Sequence, residues 1–272
     1  MEEVASSSHG VYSPTSQYQF DYSDCHVNCK EKIILCIDIS AETEQTFLKT
    51  KDNTPHTLLF LWKNALELFV WNKSLINPKH EFAIVLLEDK VAVWLMDFSS
   101  DARMICDTIS SLKALTATAD LFNISTLFQI ISEKAPPLPA SSSPVLPPDY
   151  IIRCVLLYGR SSSIPVYKGD AQYRTQLISS PYFFLDIIYS HESPQLMSNN
   201  CETIFSILAE LQPHTRSLVL DVWHNATRVF DHMARLLSHP LQRPLTADED
   251  HGLLSSSDNQ TTGNNDNTDI DH

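Results

Sequence analysis

Residues Lys32 to Ser40 read KIILCIDIS, and this stretch decides the fold. Ile33 to Ile37 are five apolar residues in a row, without the alternation of a strand that has one wet face. A continuous run of this kind marks a buried strand in a sheet covered by helices. Asp38 closes the run at its carboxyl end, where ligand groups gather in open α/β sheets.

Working outward, Leu58, Trp62, Ala65, Leu66, Phe69 and Val70 recur at helical spacing within Thr57 to Trp71. A crossover helix after a buried strand implies a parallel sheet. Phe82 to Leu87 and Val91 to Leu95 are separated only by Glu88, Asp89 and Lys90, too short a link for a crossover, so they form a hairpin. Ser99 and Ser100 are placed to cap a helix carrying Ile105, Ile109 and Leu112. A second amphipathic face holds Ile124, Leu127, Phe128 and Ile131.

Residues 135–148 contain six prolines and read as a surface loop. Beyond it, Tyr150 to Tyr158 and Tyr182 to Tyr189 are buried strands, and Ser217 to Asp221 is a shorter one. Helical patterns fall at Ile204, Phe205 and Leu208, and again at Val222, Ala226, Val229, Phe230, Met233 and Leu237. The expected organisation is one doubly wound α/β domain over residues 30–238. A linear segment, 239–244, follows it. Residues 1–29 and 245–272 read as disordered acidic tails.

The formal charge is −14, and eleven of those charges lie at the ends. Glu2, Glu3, Asp21 and Asp24 precede the first basic residue, Lys30, and seven acids follow the last, Arg243. The near-neutral middle offers no footprint for a phosphate backbone, so no direct nucleic-acid binding is expected. No stretch resembles a leader or a membrane span, so the expectation is a soluble intracellular protein with no membrane contact. The six cysteines are scattered and read as free thiols. Cys25 and Cys29 flank His26, but no second pair completes a zinc site.

Only Gly159 and Gly169 lie between the tails, so there is no Walker loop, GxGxxG turn or GxSxG elbow. Cys36 and Cys154 fall on buried strands, where a thiolate nucleophile is disfavoured. The histidines lack ligand spacing. No catalytic residue and no cofactor are expected.

Asp38-Ile39-Ser40-Ala41-Glu42 resembles the DxSxS motif that opens the metal-ion-dependent adhesion site of von Willebrand factor A domains. The fold this implies is α/β: a von Willebrand factor A-like doubly wound mixed sheet, mostly parallel with one antiparallel edge strand, and helices on both faces. In that family an Asp and two hydroxyls of the motif join a Thr and an Asp from other loops to hold Mg²⁺. Thr116 or Thr118 would be the middle ligand here. Two departures stand out. Glu42 occupies the second hydroxyl position, and Tyr158-Gly159-Arg160 stands where the family often has Asp-Gly. A guanidinium there opposes a cation, so the site at Asp38, Ser40 and Glu42 reads as degenerate, with no metal expected.

A narrower resemblance lies in EKIILCIDIS (31–40), HEFAIVLL (80–87), SSDAR (99–103), PYFFLDIIY (181–189) and ARLLSHPLQRP (234–244). These are similar to the von Willebrand A-like scaffold subunits of the BRISC and BRCA-one A deubiquitinase complexes. The resemblance implies a non-catalytic subunit, in cytoplasm and nucleus, of assemblies that cut lysine-sixty-three-linked ubiquitin. Their roles are in double-strand-break repair, the G2/M checkpoint and the mitotic spindle. It implies a ubiquitin-conjugating-enzyme-variant subunit as direct partner, with a JAMM deubiquitinase and its MPN-like scaffold in the same complex. The candidate partner-binding segment is His239, Pro240, Leu241, Gln242, Arg243 and Pro244. Its prolines either extend the chain, leaving Leu241 and Arg243 to anchor in a partner's groove, or simply stop the last helix. A metal-dependent ligand-binding domain of another intracellular assembly is the alternative.

Overall fold

The structure is a computed structural model that describes residues 28–49, 54–139, 148–192, 200–212 and 216–243. Residues 1–27 and 245–272 of the expected tails, residues 140–147 of the proline-rich loop, and Pro244 lie outside the described residues.

In chain order the first half runs β1 (Lys30–Asp38), β2 (Thr46–Lys49), β3 (Pro55–Thr57), α1 (Leu58–Ile76), β4 (Glu81–Leu87), β5 (Ala92–Ser99) and α2 (Ala102–Ser111). It continues through β6 (Leu121–Asn123) and α3 (Ser125–Lys134). The second half holds β7 (Tyr150–Tyr158), β8 (Ile164–Val166), α4 (Ala171–Ile178) and β9 (Phe183–His191). It closes with α5 (Cys201–Ala209), β10 (Val219–Trp223) and α6 (Ala226–Arg235).

Six strands form one sheet in the order β10-β9-β7-β1-β4-β5. All neighbours are parallel except β5, which runs antiparallel to β4 at the edge. The three-residue link between Leu87 and Val91 allowed nothing else. Alternate residues of β1 divide between two cores: Ile33, Leu35 and Ile37 pack on one face, Ile34 and Cys36 on the other. That division is why the run is continuously apolar. The first core carries α1, α2 and α6, the second α3, α4 and α5.

Helix α1 lies against both α2 and α6. Thr57 Oγ1 caps its start by accepting from the amide of Phe60, 3.2 Å away. Three local expectations are corrected. The cap of α2 is Asp101, whose Oδ1 accepts from Met104 N at 3.1 Å, because β5 runs on through Ser99. Val222 belongs to β10, and the last helix begins only after Asn225 caps it. Helix α4 was not foreseen, since Leu177 is its single buried residue and leaves no apolar period to read.

Candidate functional site

At the carboxyl end of β1, Asp38 is fully buried. Its Oδ1 accepts from Ser40 N at 2.9 Å and its Oδ2 from Gly159 N at 3.0 Å. Glycine is required at 159 by space: a Cβ there would lie 2.7 Å from the Trp62 ring and 2.9 Å from a Thr43 methyl.

Arg160, one residue on, turns its buried guanidinium onto the same carboxylate. Nε donates to both oxygens and Nη2 to Oδ1, each at 3.1 Å. The remaining donors reach the β4–β5 turn: Nη1 to Asp89 O at 2.8 Å, Nη2 to Leu87 O at 3.2 Å and to Glu88 O. The Phe122 ring lies 4.6 Å from the guanidinium carbon. One carboxylate, three carbonyls and an aromatic face therefore surround a positive charge that belongs to the chain.

Glu42 faces the same loop. Its Oε2 accepts from Ser161 N at 2.7 Å and Ser162 N at 3.3 Å. Burial raises its pKa, and those two amides partly offset the rise. The Ser40 hydroxyl is buried without a hydrogen-bond partner. Neither Thr116 nor Thr118 is hydrogen-bonded to Asp38. These residues do not fit a divalent cation, because both oxygens of Asp38 are committed to a guanidinium that would repel one. Among the described residues, no group of three or more His, Cys, Asp or Glu is arranged to hold a metal.

The opposite end of the sheet holds a second charged cluster. Asp186 of β9 is fully buried and receives two arginines. Arg243 pairs with it in bidentate fashion, Nη1 to Oδ1 at 2.6 Å and Nη2 to Oδ2 at 2.9 Å. Arg153 of β7 donates Nε to Oδ2 at 2.8 Å and spans to Glu31 Oε2 at 3.0 Å. Glu31 also pairs with Lys73 at the end of α1. Burial pushes both carboxyls up, but Arg243 with Arg153 holds Asp186, and Arg153 with Lys73 holds Glu31, at about 2.

This cluster corrects the reading of segment 239–244. Leu241 and Arg243 do not point outward as anchors for a partner. Leu241 is 2% exposed and packs with Ile151, Tyr182 and Phe184, while Arg243 is spent on Asp186. His239 takes the amide of Leu241 on Nδ1 at 3.2 Å, and its Nε2 lies 3.2 Å from Cys29 O. Pro240–Gln242 forms a 3-10 turn, and of the described segment only Gln242 is exposed. The segment is a strap across the chain's own sheet. Glu31, Arg153 and Asp186 were not picked out from the sequence, although single charges inside YIIRCVLLY and YFFLDIIY were the available signal.

The strap also predicts acid sensitivity. Burial lowers the pKa of His80 and His239 to about 4, so the folded chain keeps both neutral where the unfolded chain protonates them. Their stabilising contribution is complete above pH ~6.5 and is lost as pH falls towards 4; the two carboxylates add a further loss below about 4.5. Two such groups change stability by at most about 2.7 kcal/mol per pH unit. Between pH 7 and 5 the thermal midpoint is expected to fall by roughly 7–15 °C. Differential scanning calorimetry checks this, and a flat midpoint over that range removes the assignment.

No family model matches the chain. It is 31% identical over 244 residues to "BRISC and BRCA1-A complex member 1" of Xenopus tropicalis, covering 89% of this chain and 76% of that protein. The identity to the protein of the same name from Bos taurus is 32% over 241 residues (86% and 71% covered). For Homo sapiens it is 30% over 236 residues (85% and 70%). Among solved structures, a mutant of the PilB minor pilin from Streptococcus sanguinis matches with TM-score 0.53 at 9% identity, over 80% of this chain and 63% of that one. Proximal thread matrix protein 1 from the mussel byssus matches with TM-score 0.52 at 11% identity, over 77% and 47%. The VWA domain of SpRpn10 gives 0.48 at 12% identity, over 80% and 100%.

Proposed function

The chain belongs to the BRISC and BRCA1-A complex member 1 family, and from that membership we propose that it is a non-catalytic scaffold subunit of a deubiquitinase assembly. Its direct neighbour in this reading is the ubiquitin-conjugating-enzyme-variant subunit. A JAMM deubiquitinase and its MPN-like scaffold complete the complex, which acts on lysine-sixty-three-linked ubiquitin. Double-strand-break repair, the G2/M checkpoint and the mitotic spindle are the proposed settings, in nucleus and cytoplasm.

The observation that supports a metal-free scaffold most directly is Arg160 on Asp38. In open α/β sheets the carboxyl ends of the strands are the usual ligand site, and here an internal ion pair fills it. The described thiols argue in the same direction. Cys36 and Cys154 lie 3.3 Å apart in the core, and burial raises Cys36 far above the range of a reactive thiolate.

The test is the mass, by light scattering on a sizing column, of this chain co-expressed with the variant subunit, with and without a chelator. A complex of summed mass in both buffers is the expected result. Dissociation by the chelator would favour the alternative, a metal-dependent binder, for which the unpartnered Ser40 hydroxyl is the one supporting feature. Failure to associate in either buffer would overturn the proposed partner.

A further inference from the structure

A cavity of about 670 Å³ opens between the β4–β5 turn and the small parallel sheet of β6 and β8. It is separate from the Asp38 site, and its volume is that of an ordinary ligand pocket. Asn123 organises it. The Asn123 amide donates to Lys90 O at 3.0 Å, and its Oδ1 accepts from Ser125 N, Ser125 Oγ and Lys168 N at 3.3, 2.7 and 3.1 Å. The backbones of Lys90 and Lys168, from two different loops, are thereby fixed to one residue, Lys90 by the main chain of Asn123 and Lys168 by its side chain. Gly169 lets the second loop close down, since a Cβ there would lie 2.8 Å from Ser125 Cβ.

What this frame presents to the cavity is a set of donors. The oxygen of Asn123 is taken three times, and its Nδ2 has no partner among the described residues. Thr118 Oγ1 is buried without a hydrogen bond. The ammonium groups of Lys90 and Lys168 make no ion pair among the described residues. Asp120 is the single opposing charge on the wall. Two positive charges against one negative suit a singly charged carboxylate better than a phosphate dianion. Apolar surface completes the lining: Val91 is 42% and Leu121 41% exposed, beside Val166. A ligand that covers them gains by removing that surface from water.

We propose that this cavity binds an acidic peptide of a partner protein, one that carries a carboxylate beside an apolar side chain. The carboxylate lies between Lys90 and Lys168 and takes the Thr118 and Asn123 donors, while the apolar neighbour packs on Val91 and Leu121.

The probe is a fluorescein-labelled Leu-Glu-Leu-Glu-Leu-Glu peptide, read by anisotropy on the full 272-residue chain. Binding is expected at roughly 10–100 µM, an ordinary strength for a short linear peptide. The glutamine counterpart, and the Lys90→Glu/Lys168→Glu variant with the original peptide, are each expected to bind about tenfold more weakly or worse. Both lysines are exposed, so the variant keeps the wild-type thermal midpoint. Thr118→Val, which preserves shape, is expected to weaken binding by about three- to tenfold. No binding up to roughly 1 mM, or binding that survives the charge reversal within about twofold, overturns the proposal. Displacement of the peptide by inorganic phosphate at lower concentration than by acetate overturns the carboxylate assignment.

Discussion

Asp186→Ala is expected to destabilise the domain by about 3–5 kcal/mol, the range for breaking a buried ion pair from one side. Two guanidiniums, those of Arg153 and Arg243, lose their shared acceptor while remaining buried. The Leu218 amide, which donates to Asp186 Oδ1 at 2.8 Å, is orphaned as well. A buried ion pair is weak evidence of net stability relative to an apolar replacement of the whole group, so the size of the loss comes from Arg243, left buried without a counter-charge, and from Arg153, left with Glu31 alone. Urea unfolding measures it, and the thermal midpoint should fall by roughly 6–20 °C. Gln242→Ala, in the same strap but exposed, should stay within about 0.5 kcal/mol of wild type. If Asp186→Ala loses less than about 1 kcal/mol, the strap is not held by this cluster.

The second large effect is at the other end of the sheet. Arg160→Ala removes the counter-charge of Asp38 and the donors to Leu87, Glu88 and Asp89, so a loss of about 3–5 kcal/mol is expected here too. A double-mutant cycle separates pairing from packing. Asp38→Asn and Arg160→Ala, alone and together, should show a coupling of about 2 kcal/mol or more, with the double variant more stable than the sum of the singles predicts. Additive losses within roughly 0.5 kcal/mol would mean that Arg160 stabilises the turn and not the aspartate.

What the sequence disclosed and what it hid follow from the distance over which each feature is decided. The hairpin of β4 and β5 is fixed by three residues, Glu88 to Lys90, and was legible at once. The buried character of β1, β7 and β9 was written in apolar runs, unbroken from Ile33 to Ile37 in β1 and interrupted by Arg153 in β7 and Asp186 in β9. Helix α4 escaped because it rides on the surface with one buried residue. At the candidate site Arg160 was recognisable as hostile to a cation, but its capture of Asp38 depends on a loop 122 positions away. The strap was hardest. Its partner Asp186 is set by sheet order, and a Pro-Leu-Gln-Arg sequence looks the same whether it extends outward or folds back. Burial of Leu241 and Arg243 decides between those courses, and burial is a property of the whole fold.

The strap also sets an order in time. During synthesis Asp186 is made 57 residues before Arg243, about 3–11 s at ordinary elongation rates. Through that interval β9 is a nearly unbroken apolar strand whose central carboxylate has at most one of its two arginines. The strap is the last part of the described fold to be made, and its arginine joins a sheet whose strands have all been synthesised before it.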